Sequence, residues 1–305
     1  MEKAIPTHAR VLRFFGDTYK TIRFWYHYIR RRIKYGRFEY PYRNKADNLA
    51  IRVLGTGPSL TSELNELREH GELNSIPMFA MNFFADSELF FELKPTRYCL
   101  ADPAFYKDVL MAERVHKLFE ILSSRVDWEM RVYVPNVSID EAKRRITNPK
   151  IIIVPISILR FEGFESLRNK FYKKGTAVPS FVNVLIMIEY ISINEGFKKI
   201  YLYGADHTFL NNLMVDDDNV LKVEDTHFYG TERIIANVHE DGTPWRVAEF
   251  IYDKYLTFIE HDIMRNYADY MGVDIINCTR HSMIDSYTRL AQIEKLEKSQ
   301  PEHKE

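Results

Sequence analysis

Cysteine is almost absent. Cys99 and Cys278 are the two in 305 residues, they stand far apart, and neither belongs to a CxxC pair. That argues against a disulfide framework and a cysteine zinc site, and it fits a reducing compartment. Long apolar runs are missing too. No stretch of about eighteen such residues exists, so nothing reads as a membrane-spanning helix. The first residues lack the uninterrupted apolar core of a secretory signal, which makes the cytoplasm the expected location. There is no internal repeat, and no low-complexity tract beyond the charged tail Glu294–Glu305, which reads as frayed. A chain of this length can bury a full core, as one large domain or two small ones.

Excess charge of one sign is also lacking overall, with a formal net charge of -1, but the balance is uneven. Residues 1–48 hold 12 Lys/Arg against 4 Asp/Glu, and the remainder holds 30 against 39. The basic segment carries an apolar stripe at helical spacing: Val11, Phe15, Tyr19, Ile22, Tyr26, Ile29 and Ile33. Arg10, Arg13, Lys20, Arg23, Arg30, Arg31, Arg32 and Lys34 surround it, with Phe14, Phe24 and Trp25 interleaved. Aromatics and cations on an amphipathic helix over residues 10–34 describe a helix lying on an anionic membrane surface. A helix docked on its own domain with a solvated basic face remains the plainer alternative. Nucleic acid is a third partner class, and no basic patch elsewhere supports it. Tyr40-Pro41-Tyr42-Arg43-Asn44 reads as a linker. The chain therefore divides into a basic segment (1–48), a folded domain (49–293) and a tail (294–305).

From residue 51 short apolar runs alternate with helical stretches. Strands are expected at Arg52–Leu54, Met78–Met81, Arg97–Ala101, Arg131–Val134, Ile151–Val154, Lys199–Tyr203 and Val273–Ile276. Helices are expected at Thr61–Glu69, Ala104–Ser123, Ile139–Arg145, Pro179–Asn194, Val247–Met271 and Ile284–Ile293. Several strands are continuously apolar, as strands buried on both faces are. The pattern is that of an α/β fold with a mainly parallel sheet.

Ligands of open α/β sheets bind at the carboxyl ends of strands, so the residues just after each strand carry the functional reading. The first strand is followed by Gly55-Thr56-Gly57-Pro58-Ser59-Leu60. Its glycines let the backbone bend or approach a ligand, Pro58 suits a first helical turn, and helix-start N–H groups face an anion. A tight strand-to-helix turn with no ligand explains the same residues. The third glycine of the dinucleotide fingerprint is missing, and no Gly-Lys-Ser/Thr follows. Asn82-Phe83-Phe84, Asp102-Pro103, Gly204-Ala205-Asp206-His207 and Asn277-Cys278-Thr279-Arg280-His281-Ser282 follow later strands. Each alone is an ordinary turn or cap; together they suit a nucleotide or a sugar.

Residues 208–246 show little periodicity and read as a lid. His227 there, flanked by aromatics, is either a general base or a packed or solvated histidine. Asp216-Asp217-Asp218 reads as a solvated charge run, with a divalent-metal site as the rival.

The strand ends Gly55–Leu60, Met81-Asn82, Asp102-Pro103 and Gly196–Asp206 fall in an order that resembles bacterial sialyltransferases of glycosyltransferase family 42. They also resemble the related domain of motility-associated factor flagellin glycosyltransferases. Lys94-Pro95-Thr96-Arg97-Tyr98 and Ile276-Asn277-Cys278-Thr279-Arg280 are similar to members of the same group, and the likeness covers roughly residues 50–290. It implies a Rossmann-like nucleotide-binding domain, a variant of the GT-A fold, with a lid. It implies an inverting, metal-independent transfer of sialic acid, or another acidic sugar, from a CMP donor to a glycan or glycolipid acceptor of the lipopolysaccharide or capsule kind. No metal and no cofactor besides the nucleotide-sugar donor is then expected. In such enzymes the glycine turn and the asparagine hold the nucleotide, and a lid histidine takes the acceptor proton. Here these would be Gly55, Thr56, Gly57, Pro58, Ser59 and Asn82, with His227 in His227-Phe228-Tyr229-Gly230. Asp102, Gly204, Asp206, Thr279, Arg280 and Ser282 would complete the donor site.

Two departures stand out. Thr56 replaces the usual asparagine of the first turn, and Thr208 and Phe209 stand where those sialyltransferases have a tyrosine pair for the leaving phosphate. Leaving-group stabilisation would then fall to Tyr229, Lys173, Lys174 or Arg280. The basic helix would hold the enzyme at the inner membrane face; no nucleic-acid partner is expected, and a homo-oligomer is compatible with the sequence. Two rivals remain: an ATP- and Mg²⁺-dependent enzyme similar to archaeal pterin diphosphokinases, with Asp216–Asp218 as ligands, and a non-catalytic nucleotide- or glycan-binding module.

Overall fold

The computed structural model describes residues 7–38, 40–46, 48–106, 112–180, 182–211, 213–228, 230–239 and 241–299. The elements in order are α1 (Thr7–Tyr35), β1 (Ala50–Leu54), α2 (Leu60–Glu69), β2 (Met78–Met81), α3 (Glu88–Leu93), β3 (Arg97–Cys99), α4 (Ala112–Ser124), β4 (Met130–Pro135), α5 (Ile139–Arg145) and β5 (Ile151–Ile156). There follow α6 (Glu165–Lys173), α7 (Val184–Glu195), β6 (Lys199–Tyr203), β7 (Leu213–Val215), β8 (Leu221–His227), β9 (Gly230–Ile235), α8 (Val247–Met271), β10 (Asp274–Asn277), β11 (Thr288–Arg289) and α9 (Leu290–Ser299).

The main sheet has the order β11-β10-β6-β1-β2-β3-β4-β5, and every pairing in it is parallel. Parallel strands need crossovers, and the helices supplying them cover both faces, which is why the strands are apolar throughout. One face carries Ile51, Val53, Phe79, Ile200 and Leu202 against α7 and α8. The other carries Leu54, Met78, Ala80 and Tyr98 against α2, α3 and α4. This is the α/β fold expected, and all seven expected strands are present.

Helix α7 lies deepest. It is apolar nearly all round, as a helix enclosed on every side must be, and every residue from Leu185 to Glu195 is buried. Asn183 caps its start by accepting a hydrogen bond from the Leu185 N–H at 2.8 Å, and Gly196 ends it at φ +104°. That cap explains why the helix starts at Val184 and not at Pro179.

Other expectations need correction. The helix read at 104–123 is a 3-10 turn, Pro103–Tyr106, followed by α4 from Ala112, with 107–111 outside the described residues. The helix read at 284–293 begins only at Leu290, after the short edge strand β11. Helices α3 and α6 were not anticipated. The 208–246 region is no irregular loop: β7, β8 and β9 form an antiparallel sheet. β7 is only three apolar residues, β8 alternates over its first half alone, and β9 opens Gly-Thr-Glu-Arg, so none shows the sustained alternation that marks a half-buried strand. The supposed linker is docked too: Tyr40 is buried, and the Asn44 and Ala46 N–H groups bond the Asn194 and Glu195 carbonyls at the end of α7.

Helix α1 packs on the same core through one face. Phe24 is 2% exposed and stacks on Phe161, ring centroids 3.9 Å apart, with Phe171 against its edge. The Thr21 hydroxyl accepts the Phe164 N–H, and Lys20 pairs with Glu162.

Candidate functional site

In the sheet order, β1 lies between β6 and β2, so the chain leaves β1 in one direction across the sheet and returns on its other side. Connections diverge at such a switch point and leave a crevice beyond the strand carboxyl ends. A cavity of about 480 Å³ occupies that place. Its walls are Gly55–Pro58 after β1, Asn82 after β2, Gly204–Phe209 after β6, and Asn183 at the head of α7. Val223, Ile234 and Ala236 of the small sheet close one side. A larger hollow, about 570 Å³, lies between α8, β10 and α9 at the sheet edge. It is away from the strand ends, so position and not volume marks the first cavity as the candidate.

The glycine turn works differently from the sequence reading. The Gly55 and Gly57 N–H groups bond the carbonyls of Tyr203 and Gly204 at 2.7 and 2.9 Å. A Cβ on Gly57 would stand 1.9 Å from Oδ2 of Asp206. The Ser59 hydroxyl, just before α2, donates to that same oxygen at 2.8 Å. The anion at the start of α2 is therefore the chain's own Asp206, and the glycines let two strand-end loops touch. Pro58 and Ser59 precede the helix, which starts at Leu60. Burial raises the Asp206 pKa above the usual carboxylate value, with the Ser59 hydrogen bonds pulling the other way. Glu63 of α2 braces the arrangement by accepting the Gly204 N–H at 2.8 Å.

Asn82 is the open group of the wall. It sits at φ +49°, a left-handed backbone conformation that asparagine tolerates better than most residues. The Tyr98 hydroxyl donates to its carbonyl, which pins the turn. Its side-chain oxygen Oδ1 is buried without a hydrogen-bond partner. An amide oxygen in that state favours a ligand that donates to it.

A buried chain of titratable groups that the sequence did not suggest leads to the cavity through His207. His207 Nε2 lies 3.0 Å from His261 Nε2, and His261 Nδ1 lies 2.9 Å from the Tyr287 hydroxyl. Tyr287 donates to Glu189 Oε2 at 2.6 Å, and Glu189 Oε1 is 3.4 Å from His261 Nδ1. Burial first, then His261 and Lys254, hold the His207 pKa well below the ordinary histidine value. These residues come from α7, the loop after β6, α8 and the loop before β11, and only folding assembles them. The one sequence signal was His207 directly after Asp206 at a strand end.

The other expected site residues scatter. Thr279 and Ser282 are buried braces: Thr279 Oγ1 accepts the Ala205 N–H at 3.0 Å, and Ser282 donates to the Ala205 carbonyl at 2.6 Å. They shape the loop carrying Asp206 without lining the cavity. Arg280 points away and pairs with Glu66 at 2.8 Å. Asp102 is exposed, also outside the cavity wall. Lys173 and Lys174 lie at the end of α6 against the rings of Tyr270 and Phe171. Among the described residues no Lys or Arg lines the cavity. Tyr229 lies outside the described residues. The His227 backbone ends β8, pairing with Gly230 across the hairpin turn. Next to it, the Phe228 N–H bonds the Thr56 carbonyl at 3.2 Å and its ring meets Phe84, so the hairpin tip rests on the glycine turn. Asp216 is occupied within its own turn: it accepts the Val220 and Asp218 N–H groups and pairs with Lys222 at 2.6 Å.

No protein-family model matches the chain, and no curated protein matches it. Among solved structures it is similar to the MAf glycosyltransferase from Magnetospirillum magneticum AMB-1, with a TM-score of 0.45 and 13% identity. That likeness covers 84% of this chain and 36% of the other, so the chain spans little more than a third of that protein's length. A likeness this distant says nothing of substrate or mechanism.

Proposed function

We propose that the chain is a glycosyltransferase whose nucleotide-sugar donor occupies the cavity between the ends of β1 and β6. The observation that carries the reading is Asn82 on the wall of a crevice at the sheet's switch point, with its amide oxygen buried and unpartnered. Asp206 offers a carboxylate to hydroxyl hydrogens, and Asn183 and Asn211 add amides, a donor and acceptor set that suits a ribose or a sugar. The donor in this reading is a CMP-sugar carrying sialic acid or another acidic sugar, as the likeness of the strand-end residues to the sialyltransferases implies. The acceptor, a glycan or glycolipid, would enter beneath the hairpin that carries His227. Proton removal from its hydroxyl by a histidine contributes about 10²–10⁴-fold in rate.

A thermal-shift series with CMP, UDP, GDP and ATP, each with Mg²⁺ or with EDTA, tests this reading. CMP is expected to stabilise the protein equally in both, and Asn82→Ala is expected to abolish the shift. A response only to UDP, GDP or ATP, and only with Mg²⁺, would overturn the donor. The kinase-like rival, with Asp216–Asp218 as metal ligands, gains no support from an Asp216 already paired with Lys222.

We also propose that α1 holds the protein on an anionic bilayer at the cytoplasmic face. The apolar stripe is turned away from the core: Phe15 is 64% exposed, Ile22 65% and Ile33 81%. Val11, Tyr19, Tyr26 and Ile29 are exposed beside them, while Phe24 alone among the helix's described large side chains is buried. Arg23, Arg30 and Lys34 flank one edge of the stripe and Arg32 the other, where long side chains reach headgroups. A symmetric pairing of two copies through the stripe would set these cations against one another. Full-length protein should bind vesicles containing phosphatidylglycerol and not neutral vesicles, and Ile22→Ser with Ile29→Ser should abolish binding. A concentration-dependent dimer lost in the same variant, with no vesicle binding, would overturn the lipid assignment.

A further inference from the structure

We propose that Glu189, Tyr287, His261 and His207 form a proton relay that opens on the cavity, in which His261 takes up the proton and Tyr287 and Glu189 hold its charge, and that His207 is the base that meets the acceptor hydroxyl. The role of His207 rests on the transferase reading above; the path itself does not.

Three observations carry it. The contacts are continuous, at 2.6, 2.9 and 3.0 Å from Glu189 through Tyr287 and His261 to His207. Glu189 and His261 are both wholly buried, whereas His207 lies on the cavity wall, so the chain opens at one end only. His207 is held at φ +53°, which a histidine adopts at some cost and keeps where its surroundings impose it. Nε2 faces His261 at 3.0 Å and the Asn183 amide nitrogen at 3.5 Å, which leaves Nδ1 for a bound hydroxyl.

The transfer balances as follows. The acceptor O–H gives its proton to His207 Nδ1 while the proton on His207 Nε2 passes to His261 Nε2. His261, whose Nδ1–H faces the Tyr287 oxygen, becomes an imidazolium, and the Glu189 carboxylate holds that charge. The acceptor oxygen bonds the anomeric carbon as the bond from that carbon to the phosphate oxygen breaks, and the electron pair leaves on the phosphate. His207 ends neutral in its other tautomer, and the proton returns to water through the cavity once product leaves. A histidine whose burial disfavours its charged form is a poor place to keep a proton, and passing it inward answers that difficulty. The other charged groups around the path are Lys254, Glu260 and Asp262 on α8 and Asp206 beside His207.

Two measurements decide the matter. Long-range ¹H–¹⁵N correlation on the histidine-labelled full chain reads the protonation of each ring nitrogen, whatever the protein catalyses. Glu189→Gln is expected to change which ring nitrogens of His261 and His207 carry a proton. A pattern unmoved by that change would overturn the path. The second measurement is kinetic, with the sugar donor of whichever nucleotide binds in the thermal-shift series. His207→Asn keeps a residue that tolerates positive φ but cannot take a proton. It is expected to lose about 10²–10⁴-fold in kcat with the nucleotide response unchanged. Tyr287→Phe should lose about tenfold and displace the pH–rate profile. His207→Asn retaining more than about a tenth of kcat, with His227→Asn inactive, would overturn His207 as the base. If no nucleotide binds, the transferase reading fails, and the correlation experiment still decides the path.

Discussion

Glu189 and Glu195 lie on the same helix, α7, and both are fully buried, yet their surroundings differ in kind. Glu195 is enclosed by a cation: Arg97 Nε donates to it at 2.7 Å, Arg131 stands 3.6 Å away, and the Tyr133 hydroxyl completes the set. Arg97 is also buried, stacked over the Phe197 ring. That network is closed. Among the described residues no arginine pairs with Glu189; it has Tyr287 and, through it, two imidazoles, and the chain ends at a cavity. One glutamate neutralises a permanent charge and locks the start of β3 to α7. The other is connected to groups that can gain and lose a proton. A helix buried on every side carries a carboxylate only where a partner awaits it, and the nature of the partner separates a brace from a relay.

Four experiments would break or sharpen that contrast. Arg97→Ala leaves Glu195 buried with its main partner removed, and about 3–5 kcal/mol of stability should be lost in urea unfolding. Glu260 supplies the third case, a buried carboxylate of α8 whose burial raises its pKa to about 8. The unfolded chain gives up that proton near 4.5, the ordinary glutamate value, while the folded chain keeps it. Stability should therefore fall as pH rises from about 5 to 8 and level off above, and Glu260→Gln should flatten the slope by roughly 1–3 kcal/mol across that window. Gly57→Ala forces a methyl group against Asp206, and a cost of about 1–3 kcal/mol, with a weakened nucleotide response in the thermal shift, is expected. Glu189→Gln keeps the shape and the Tyr287 contact, so about 1 kcal/mol is expected in urea unfolding, far less than at Arg97. Equal losses at Arg97 and Glu189 would erase the distinction.

The sheet and most of its helices were legible in the chain because strands buried on both faces are continuously apolar and helices between them repeat at three and four. Ile139–Arg145 and Val247–Met271 match their expected bounds to the residue. The small antiparallel sheet escaped because its strands are short or mixed in pattern and show no sustained apolar alternation. At the cavity the outcome is mixed in an instructive way. Gly55–Pro58, Asn82, Gly204 and Asp206 come together as their positions after β1, β2 and β6 require, since parallel strands bring their carboxyl ends to one edge. Thr279 and Ser282 follow β10, one strand further out, and face the loop in between.

Composition and spacing alone determined the layered α/β architecture, the edge of the sheet to which the strand-end residues come and the basic amphipathic character of α1. These are local properties, set by which side chains must leave water and at what period. Tertiary structure decided what local pattern cannot hold. It decided that α1 docks through Phe24 with its apolar stripe outward, and that Asp206 takes the place at α2 left for an anion. It also brought His207, His261, Tyr287 and Glu189 into line from four separate elements. Contacts between residues 26 to 98 positions apart leave no period in the chain, because only the closing of the sheet makes them neighbours.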